Sequence, residues 1–353
     1  MTTEPSPYHP VSLDHEYLAG KLLDTYARVH AKTWETFSAE RRGEIRELFL
    51  GMTLNLQESI ATGSPAFLID FTCREEGRSA HRYLPKGFII SCLGVLADVL
   101  SRELPADYRE QAATWIRQTA RFLKSSPSCG ETGPPLPPTA QQLLDAILAQ
   151  DQDRATAIIG SALASGTPVR EIYLTLFQPV LRETGQRWQE GRVNVADEHV
   201  ITAFIYRSMD RMHDRIAEQG RKTPRGKTVV AASVGEELHD IGIRMVADLF
   251  EMDGWMVYST GANTPVRSII DAVRDRKADA AALSVTMPSR LPALQYLIRS
   301  LRADAATAPV KIIVGGYPFG ILPDLWKQVG ADAGAANAGD AVATANRLTA
   351  GSR

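Results

Sequence analysis

The chain has 353 residues, of which 44% are hydrophobic and 23% charged, with a formal net charge of -2 at pH 7. This length allows two or three domains with ordinary cores, and the near-neutral charge disfavours direct binding to nucleic acid or to an anionic membrane. We find no apolar run long enough to span a bilayer and no signal peptide. The cysteines, Cys73, Cys92 and Cys129, are too few and too scattered for a disulfide framework or a zinc site, which favours a cytoplasmic protein.

Residues 1–124 are predicted to form an all-helical domain. Apolar residues recur at helical spacing, as in "IRELFLGMTLNLQESI" at 45–60, and alternating runs are almost absent. Charges of both signs are mixed along these helices, unlike those of a basic DNA-binding domain.

One stretch of this domain carries basic side chains on successive helical turns. Arg74, Arg78, His81 and Arg82 recur at spacings of three and four, with Tyr83 beside them. Two interpretations remain open. The stretch is either a solvated helix face with internal salt bridges, or a pocket whose arginines bind carboxylates such as the propionates of a linear tetrapyrrole, with the histidine near the pyrrole nitrogens.

A second helical region follows a Pro-rich linker. Residues 125–138 read "SSPSCGETGPPLPP", a composition that cannot hold a helix. Residues 139–220 again show helical spacing, and three or four helices of this length predict a small bundle.

The period of the pattern changes in residues 221–353. Short runs rich in β-branched residues, such as "KTVVAAS" and "KIIVGG", alternate with helical patterns. This alternation predicts a doubly wound parallel α/β domain of the flavodoxin-like Rossmann type. Ligands of such domains bind in the crevice outside the carboxyl ends of the strands.

A histidine lies on that crevice. His239, in "GEELHDIGIRM", follows the first predicted strand and is flanked by Glu237, Asp240 and Gly242. Taken alone it fits an ordinary polar loop residue. An imidazole is also a good ligand for a transition metal, and its second nitrogen then needs a partner such as a carboxylate to fix the tautomer.

Two more elements fall on the same predicted edge. Ser284 and Thr286 end the third strand, and Gly315 and Gly316 end the fourth. The hydroxyls can bond a polar ligand tail, and paired glycines allow backbone to approach a bulky ligand closely.

This set resembles the cobalamin-binding domain of methionine synthase, corrinoid proteins and base-off mutases, whose pattern is Asp-x-His-x-x-Gly, then Ser-x-Leu or Ser-x-Thr, then Gly-Gly. The match covers residues 227–352. The resemblance implies that His239 replaces the cofactor's own benzimidazole below cobalt, and that the displaced nucleotide tail lies along the Ser-x-Thr and Gly-Gly segments. It also implies that Glu237, where the family usually has aspartate, orients His239.

The helical bundle carries a second motif. Trp188 is followed after nine residues by Glu198 and His199. Trp188 could simply fill the bundle core and Glu198 cap a helix. The arrangement also resembles the cap of adenosylcobalamin photoreceptors, in which the tryptophan packs on the upper face of the cofactor, the glutamate contacts the adenosyl group and the histidine lies over the corrin. Those photoreceptors carry a histidine directly after the tryptophan. This chain has Gln189 there, which makes His199 the candidate upper-face ligand.

The order of domains is similar to that of the photocobilins, in which a bilin and a cobalamin lie close together. The resemblance implies a light sensor rather than an enzyme, with adenosylcobalamin bound base-off and biliverdin as a second chromophore. A homo-oligomer or an unidentified output protein would then receive the signal. The alternative is a corrinoid protein of a methyltransferase system, and a third possibility is a regulator that senses cobalamin concentration.

Overall fold

The computed structural model describes residues 8–81, 84–126, 135–189, 191–218 and 223–351. The chain divides into two compact units, residues 1–133 and residues 134–353. The predicted fold class is confirmed: the described residues of the N-terminal unit form helices and no strand, and the C-terminal unit has helices followed by a parallel α/β sheet. None of the described helices is both long enough and apolar enough to cross a membrane.

The N-terminal unit is a helical bundle in which α3 packs on α1 and α4, and α5 packs on α1 and α6. Its core is apolar and includes Phe49, Met52 and Leu96, which are fully buried. Cys92 is a buried free thiol, whereas Cys73 is disulfide-bonded, which the sequence pattern did not predict. The helices are α1 (His15–Val29), α2 (Ala31–Glu35), α3 (Ala39–Thr62), α4 (Ala66–His81), α5 (Phe88–Glu103) and α6 (Ala106–Ser125).

The C-terminal unit begins with the second helical region. Its third helix continues without a break into a π-helical turn, Tyr173–Phe177, and then into the fourth. The helices are α7 (Pro138–Leu148), α8 (Gln152–Ala164), α9 (Val169–Ile172), α10 (Gln178–Gln189) and α11 (Val195–Glu218).

A five-stranded parallel sheet completes this unit, with strand order β2-β1-β3-β4-β5. The strands are β1 (Thr228–Val234), β2 (Met256–Thr264), β3 (Ala280–Ser284), β4 (Lys311–Gly315) and β5 (Ala333–Ala335). The helices are α12 (Ile241–Met252), α13 (Val266–Asp275), α14 (Leu291–Ala303), α15 (Tyr317–Ile321), α16 (Leu325–Val329) and α17 (Ala338–Thr349).

The helices that connect the strands form two groups, one on each face of the sheet. Right-handed crossovers that run in opposite directions along a sheet place their helices on opposite faces. Helix α12 packs with α17, while α14 packs with α13 and α16. The second helical region, α7 to α11, is the bundle of the C-terminal unit. It shares one hydrophobic core with α12, α17 and the sheet, through buried residues such as Phe177, Ile205 and Phe250. The bundle therefore lies on the α12 face, next to the loop that precedes α12.

Candidate functional site

The loop between β1 and α12 presents a histidine that is bonded at one ring nitrogen. Nδ1 of His239 lies 2.5 Å from Oε1 of Glu237, and the backbone N–H of His239 donates to the same oxygen at 3.0 Å. A carboxylate only accepts hydrogen bonds, so Nδ1 carries the proton and Nε2 of the neutral ring keeps its lone pair. The Glu237 side chain is 1% exposed and that of His239 is 61% exposed. The pair therefore combines a buried carboxylate with a ring that faces outward.

The two pKa values reflect this pairing. Burial alone would raise the pKa of Glu237, but hydrogen bonds from the His239 ring and from the backbone of His239 and Thr286 lower it to about 2. The hydrogen bond to Glu237 raises the pKa of His239 against the opposing effect of burial, and the charges of Glu198 and Asp240 add to the increase. Glu237 is thus ionised and acts only as an acceptor toward the ring.

Glu237 also joins two loops. Its Oε2 accepts from the backbone N–H groups of Thr286, at 2.8 Å, and Met287, at 3.2 Å, in the loop after β3. The hydroxyl of Ser233, the penultimate residue of β1, donates to the carbonyl oxygen of His239 at 3.3 Å. One buried carboxylate therefore fixes both the histidine and the start of the Ser-x-Thr loop.

The strand ends line up as the sequence predicts. Ser233, Ser284 and Gly315 are register partners on β1, β3 and β4. Gly316 has φ +107°, and a Cβ there would lie 2.0 Å from the carbonyl oxygen of Val285. Glycine at this position is required by the packing of β4 against the backbone after β3, a reason independent of any ligand.

The surroundings of His239 fit a large, partly apolar ligand. Leu238 is 72% exposed and Met287 is 49% exposed, although both lie in loops that Glu237 holds in place. Gly242, in the first turn of α12, has nothing within 4 Å of the position where a Cβ would stand. Exposed apolar side chains on fixed loops are typical of a binding surface. Nε2 of His239 would hold the metal of such a ligand, and Leu238 and Met287 would offer it apolar contact.

Trp188 lies near the end of α10 and is 45% exposed. It therefore does not fill the bundle core. The start of α11 is capped by Asn194, whose Oδ1 accepts from the backbone N–H of Asp197 at 2.9 Å, so Glu198 is not the capping residue. The structural alternatives for Trp188 and Glu198 are thus both wrong.

Glu198 lies in the first turn of α11 beside His199. Its Oε2 is 3.4 Å from Nε2 of His199, and its Oε1 accepts from the hydroxyl of Thr202 at 2.9 Å. Its charge also contributes to the raised pKa of His239. The two predicted motifs are thus coupled electrostatically through Glu198. The side chain of Gln189 lies outside the described residues.

The predicted carboxylate-binding stretch of the N-terminal unit is internally paired. Arg74 binds Asp70 at 2.8 Å and Arg78 binds Glu75 at 2.6 Å, both within α4. These contacts agree with internal salt bridges rather than with a ready-made pocket for propionates. The four paired side chains are only 11–21% exposed, so the prediction that this face is solvated is wrong. The side chain of His81 and all of Arg82 and Tyr83 lie outside the described residues, so their predicted roles stay predictions.

The sequence pattern did not single out Tyr206. Its phenol donates to Oδ1 of Asp240, the residue after His239. A signal was present in the sequence, because His199, Tyr206 and His213 repeat every seven residues and so lie along one face of α11.

Comparison with protein families gives the decisive observation. Residues 227–345 match a family model described as a B12 binding domain, and residues 139–212 match a second model with the same description. Both matches lie in the C-terminal unit and support a cobalamin-binding family for it. The two matches correspond to the α/β domain and to the helical bundle that packs on it. The matches support the predicted cobalamin cofactor. The residues of its site, the photoreceptor subfamily, the adenosyl form of the cofactor and biliverdin stay predictions.

Curated relatives of this unit are corrinoid proteins. A dimethylamine corrinoid protein of Methanosarcina barkeri is 27% identical over 211 residues, which make up 60% of this chain and 97% of that protein. Trimethylamine corrinoid protein 1 of Methanosarcina acetivorans is 24% identical over 200 residues, 56% of this chain and 91% of that protein. The solved structure of the monomethylamine corrinoid protein of Methanosarcina barkeri shares the fold, with a TM-score of 0.52 at 20% identity over 58% of this chain and 96% of that chain.

Proposed function

We propose that this chain is a corrinoid protein of a methyltransferase system. In this proposal the C-terminal unit would bind cobalamin, His239 would hold the cobalt through Nε2 in place of the cofactor's own base, and a partner methyltransferase would transfer the methyl group. The observation that carries the proposal is the pair of His239 and Glu237, in which a buried carboxylate holds Nδ1 at 2.5 Å and leaves the lone pair of Nε2 for a metal. When bound, the cofactor supplies cobalt that can carry a methyl group.

The remaining site residues support binding and orientation. The hydroxyls of Ser284 and Thr286, half-buried at the end of β3, are suited to bond the nucleotide tail of the cofactor. Leu238 and Met287 offer exposed apolar contact to the lower face of the corrin. Glu237 orients the imidazole and keeps its tautomer fixed.

The relatives support the methyl-carrier role over other corrinoid functions. The matched region covers 97% of the dimethylamine corrinoid protein and 91% of the trimethylamine corrinoid protein, so the C-terminal unit corresponds to nearly the whole of each. These names describe those proteins. For this chain we propose the same class of function. One methyltransferase would load a methyl group onto the carrier and another would remove it; we assign no methyl donor.

The axial ligand is tested by electron paramagnetic resonance of the protein loaded with cobalamin and reduced to Co(II). Nitrogen splitting from a protein imidazole is expected, and labelling the histidines with ¹⁵N should change it. The splitting should disappear in His239→Ala and persist in His213→Ala, a histidine of the same unit outside the site. A His239→Ala protein that keeps the splitting would overturn the assignment.

A second candidate, a cobalamin-dependent light sensor, is favoured by the upper face of the site. Trp188 is exposed and Glu198 lies close enough to His239 to affect its pKa, and an aromatic ring with a carboxylate suits an adenosyl group better than a methyl group. Trp188→Ala should then weaken adenosylcobalamin binding more than methylcobalamin binding. Equal losses for both forms, together with hydrogen exchange of α11 unchanged by green light, would contradict this candidate.

The sensor candidate includes biliverdin as a second chromophore of the N-terminal unit. The pairs of Arg74 with Asp70 and Arg78 with Glu75 would have to open or share their charge for propionates to bind. Adding biliverdin to the cobalamin-loaded protein should give a red-shifted bound band that Arg74→Ala with Arg78→Ala removes, while cobalamin uptake stays intact. A protein that binds no biliverdin contradicts this part of the candidate.

A further inference from the structure

A row of polar contacts joins α11 to α12. Tyr206 donates to Asp240, and Arg244 binds Asp210. Within each helix the two residues lie four positions apart, so the contacts are on consecutive turns and the two helices run side by side in the same direction. The guanidinium of Arg244 also lies over the Tyr206 ring, 5.4 Å from its centroid. We call these four residues, Tyr206, Asp210, Asp240 and Arg244, the polar seam.

The first contact of the polar seam adjoins the proposed axial ligand. Asp240 follows His239 directly and occupies the N-cap position of α12, yet its side chain makes no capping hydrogen bond. A carboxylate at this position ordinarily bonds the free N–H groups of its own helix. Here its side chain bonds the phenol of Tyr206 instead. The residue after His239 is therefore held by the bundle.

The same helix carries the upper-face residues. Glu198 and Tyr206 lie eight positions apart on α11, about two turns. A fixed distance between Tyr206 and Asp240 thus also fixes where Glu198 and His199 stand relative to His239.

We infer that Tyr206 is a positioning residue for the axial ligand: its phenol holds Asp240 and so sets the place of the His239 ring relative to α11. This inference rests on the proposed role of His239 as a cobalt ligand. Tyr206 acts through Asp240 and touches neither cobalt nor its ligand atom.

The chain contains a matched control. Tyr173 donates to Oδ2 of Asp248 at 2.7 Å, a tyrosine-to-aspartate hydrogen bond that also links the bundle to α12. Asp248 lies eight residues beyond Asp240, so this contact is about two turns farther from His239. A merely structural role of the phenol at position 206 would make Tyr206→Phe and Tyr173→Phe behave alike.

The experiment compares Tyr206→Phe and Tyr173→Phe in the full chain. In the cofactor-free protein, Tyr206→Phe should speed hydrogen exchange in residues 235–240, whereas Tyr173→Phe should leave that segment unchanged. In the Co(II) cobalamin form, Tyr206→Phe should broaden the imidazole splitting and weaken cobalamin binding about tenfold, a change that corresponds to about 1.4 kcal/mol. Tyr173→Phe should keep the wild-type spectrum and affinity.

The outcomes separate this inference from the proposed function. A wild-type protein without imidazole splitting overturns the proposed function. If the wild-type protein shows the splitting and Tyr206→Phe matches it in spectrum, affinity and loop exchange, the positioning role is wrong. Equal effects of Tyr206→Phe and Tyr173→Phe also overturn the positioning role, because they indicate a general loss of bundle packing.

Discussion

Replacing Glu237 by glutamine tests the central contact of the site with a minimal change of shape. Each carboxylate oxygen accepts two hydrogen bonds: Oε1 from the backbone and the ring of His239, and Oε2 from the backbone of Thr286 and Met287. A glutamine has only one carbonyl oxygen. Its NH₂ group must therefore face one of the two pairs of donors, whichever way the amide is turned.

The magnitude follows from the bonds lost. Hydrogen bonds to a charged group contribute about 1.5–3 kcal/mol each, and the two that share an oxygen are not independent, so we expect a local loss of about 3 kcal/mol. The Glu237 side chain is only 1% exposed, so water cannot replace the lost acceptor without opening the loop. Glu236→Gln makes the same chemical change one residue away, at a side chain that is 81% exposed and paired with Arg290 at 3.0 Å. Such surface pairs contribute about 0–1 kcal/mol.

Hydrogen exchange of residues 235–240 and 284–290 measures the effect where it should occur. A loss of about 3 kcal/mol corresponds to exchange faster by about a hundredfold, at the Thr286 and Met287 amides or at the His239 amide, depending on which pair the NH₂ group faces. Glu236→Gln should leave all three amides close to wild type. The reasoning is wrong if Glu237→Gln protects all three amides as well as the native residue does, or if both variants accelerate exchange equally.

Two further predictions concern stability. Gly316 has a left-handed φ, and a Cβ there would lie 2.0 Å from the Val285 carbonyl oxygen. Gly316→Ala should therefore lower the free energy of unfolding, measured in urea, by about 3 kcal/mol. Gly320 has open space around it, so Gly320→Ala should be neutral or stabilising. Burial raises the pKa of Glu58 to about 7 from 4.5, so the folded N-terminal unit binds this proton more tightly than the unfolded chain. Its stability should fall by about 3 kcal/mol as the pH rises through this range. Thermal unfolding at pH 5 and pH 8 checks this, and a Glu58→Gln protein with the same pH dependence would contradict it.

The predictions that held are those that depend on short spacing along the chain. Glu237 and His239 are two residues apart in one loop, and the strand ends that carry Ser284 and Gly315 must share an edge once the sheet is parallel. The charge of Glu198 acts on His239, a link that the family resemblance had suggested. The place of Trp188 relative to the His239 loop stays a prediction. The sequence pattern therefore sufficed to predict the fold class and the ligand loop.

The features that the sequence did not reveal depend on contacts between distant segments. The bonds from Thr286 and Met287 to Glu237 span 49 and 50 positions, and backbone donors leave no trace in residue type. In the N-terminal unit, by contrast, the pairs of Arg74 with Asp70 and of Arg78 with Glu75 lie within one turn of α4, and such internal pairs were one of the two interpretations that the spacing left open. The sequence shows Glu237 where the family usually has aspartate. Its second role, as the acceptor for the Thr286 and Met287 amides, is seen only from the position of the loop after β3.

The loop of residues 235–240 is held from three sides, which bears on both candidate functions. Glu237 joins it to the loop after β3 through Oε2, and its carbonyl oxygen accepts from the backbone N–H of Asn263 on β2 at 2.8 Å. Tyr206 joins the same loop to α11 through Asp240. A displacement of Asp240 would therefore act on α11 through Tyr206, because packed elements shift between discrete arrangements rather than bending continuously. Under either candidate function, a change at cobalt that moved His239 would reach α11 by this contact, so Tyr206→Phe should reduce any cofactor-dependent change in the hydrogen exchange of α11.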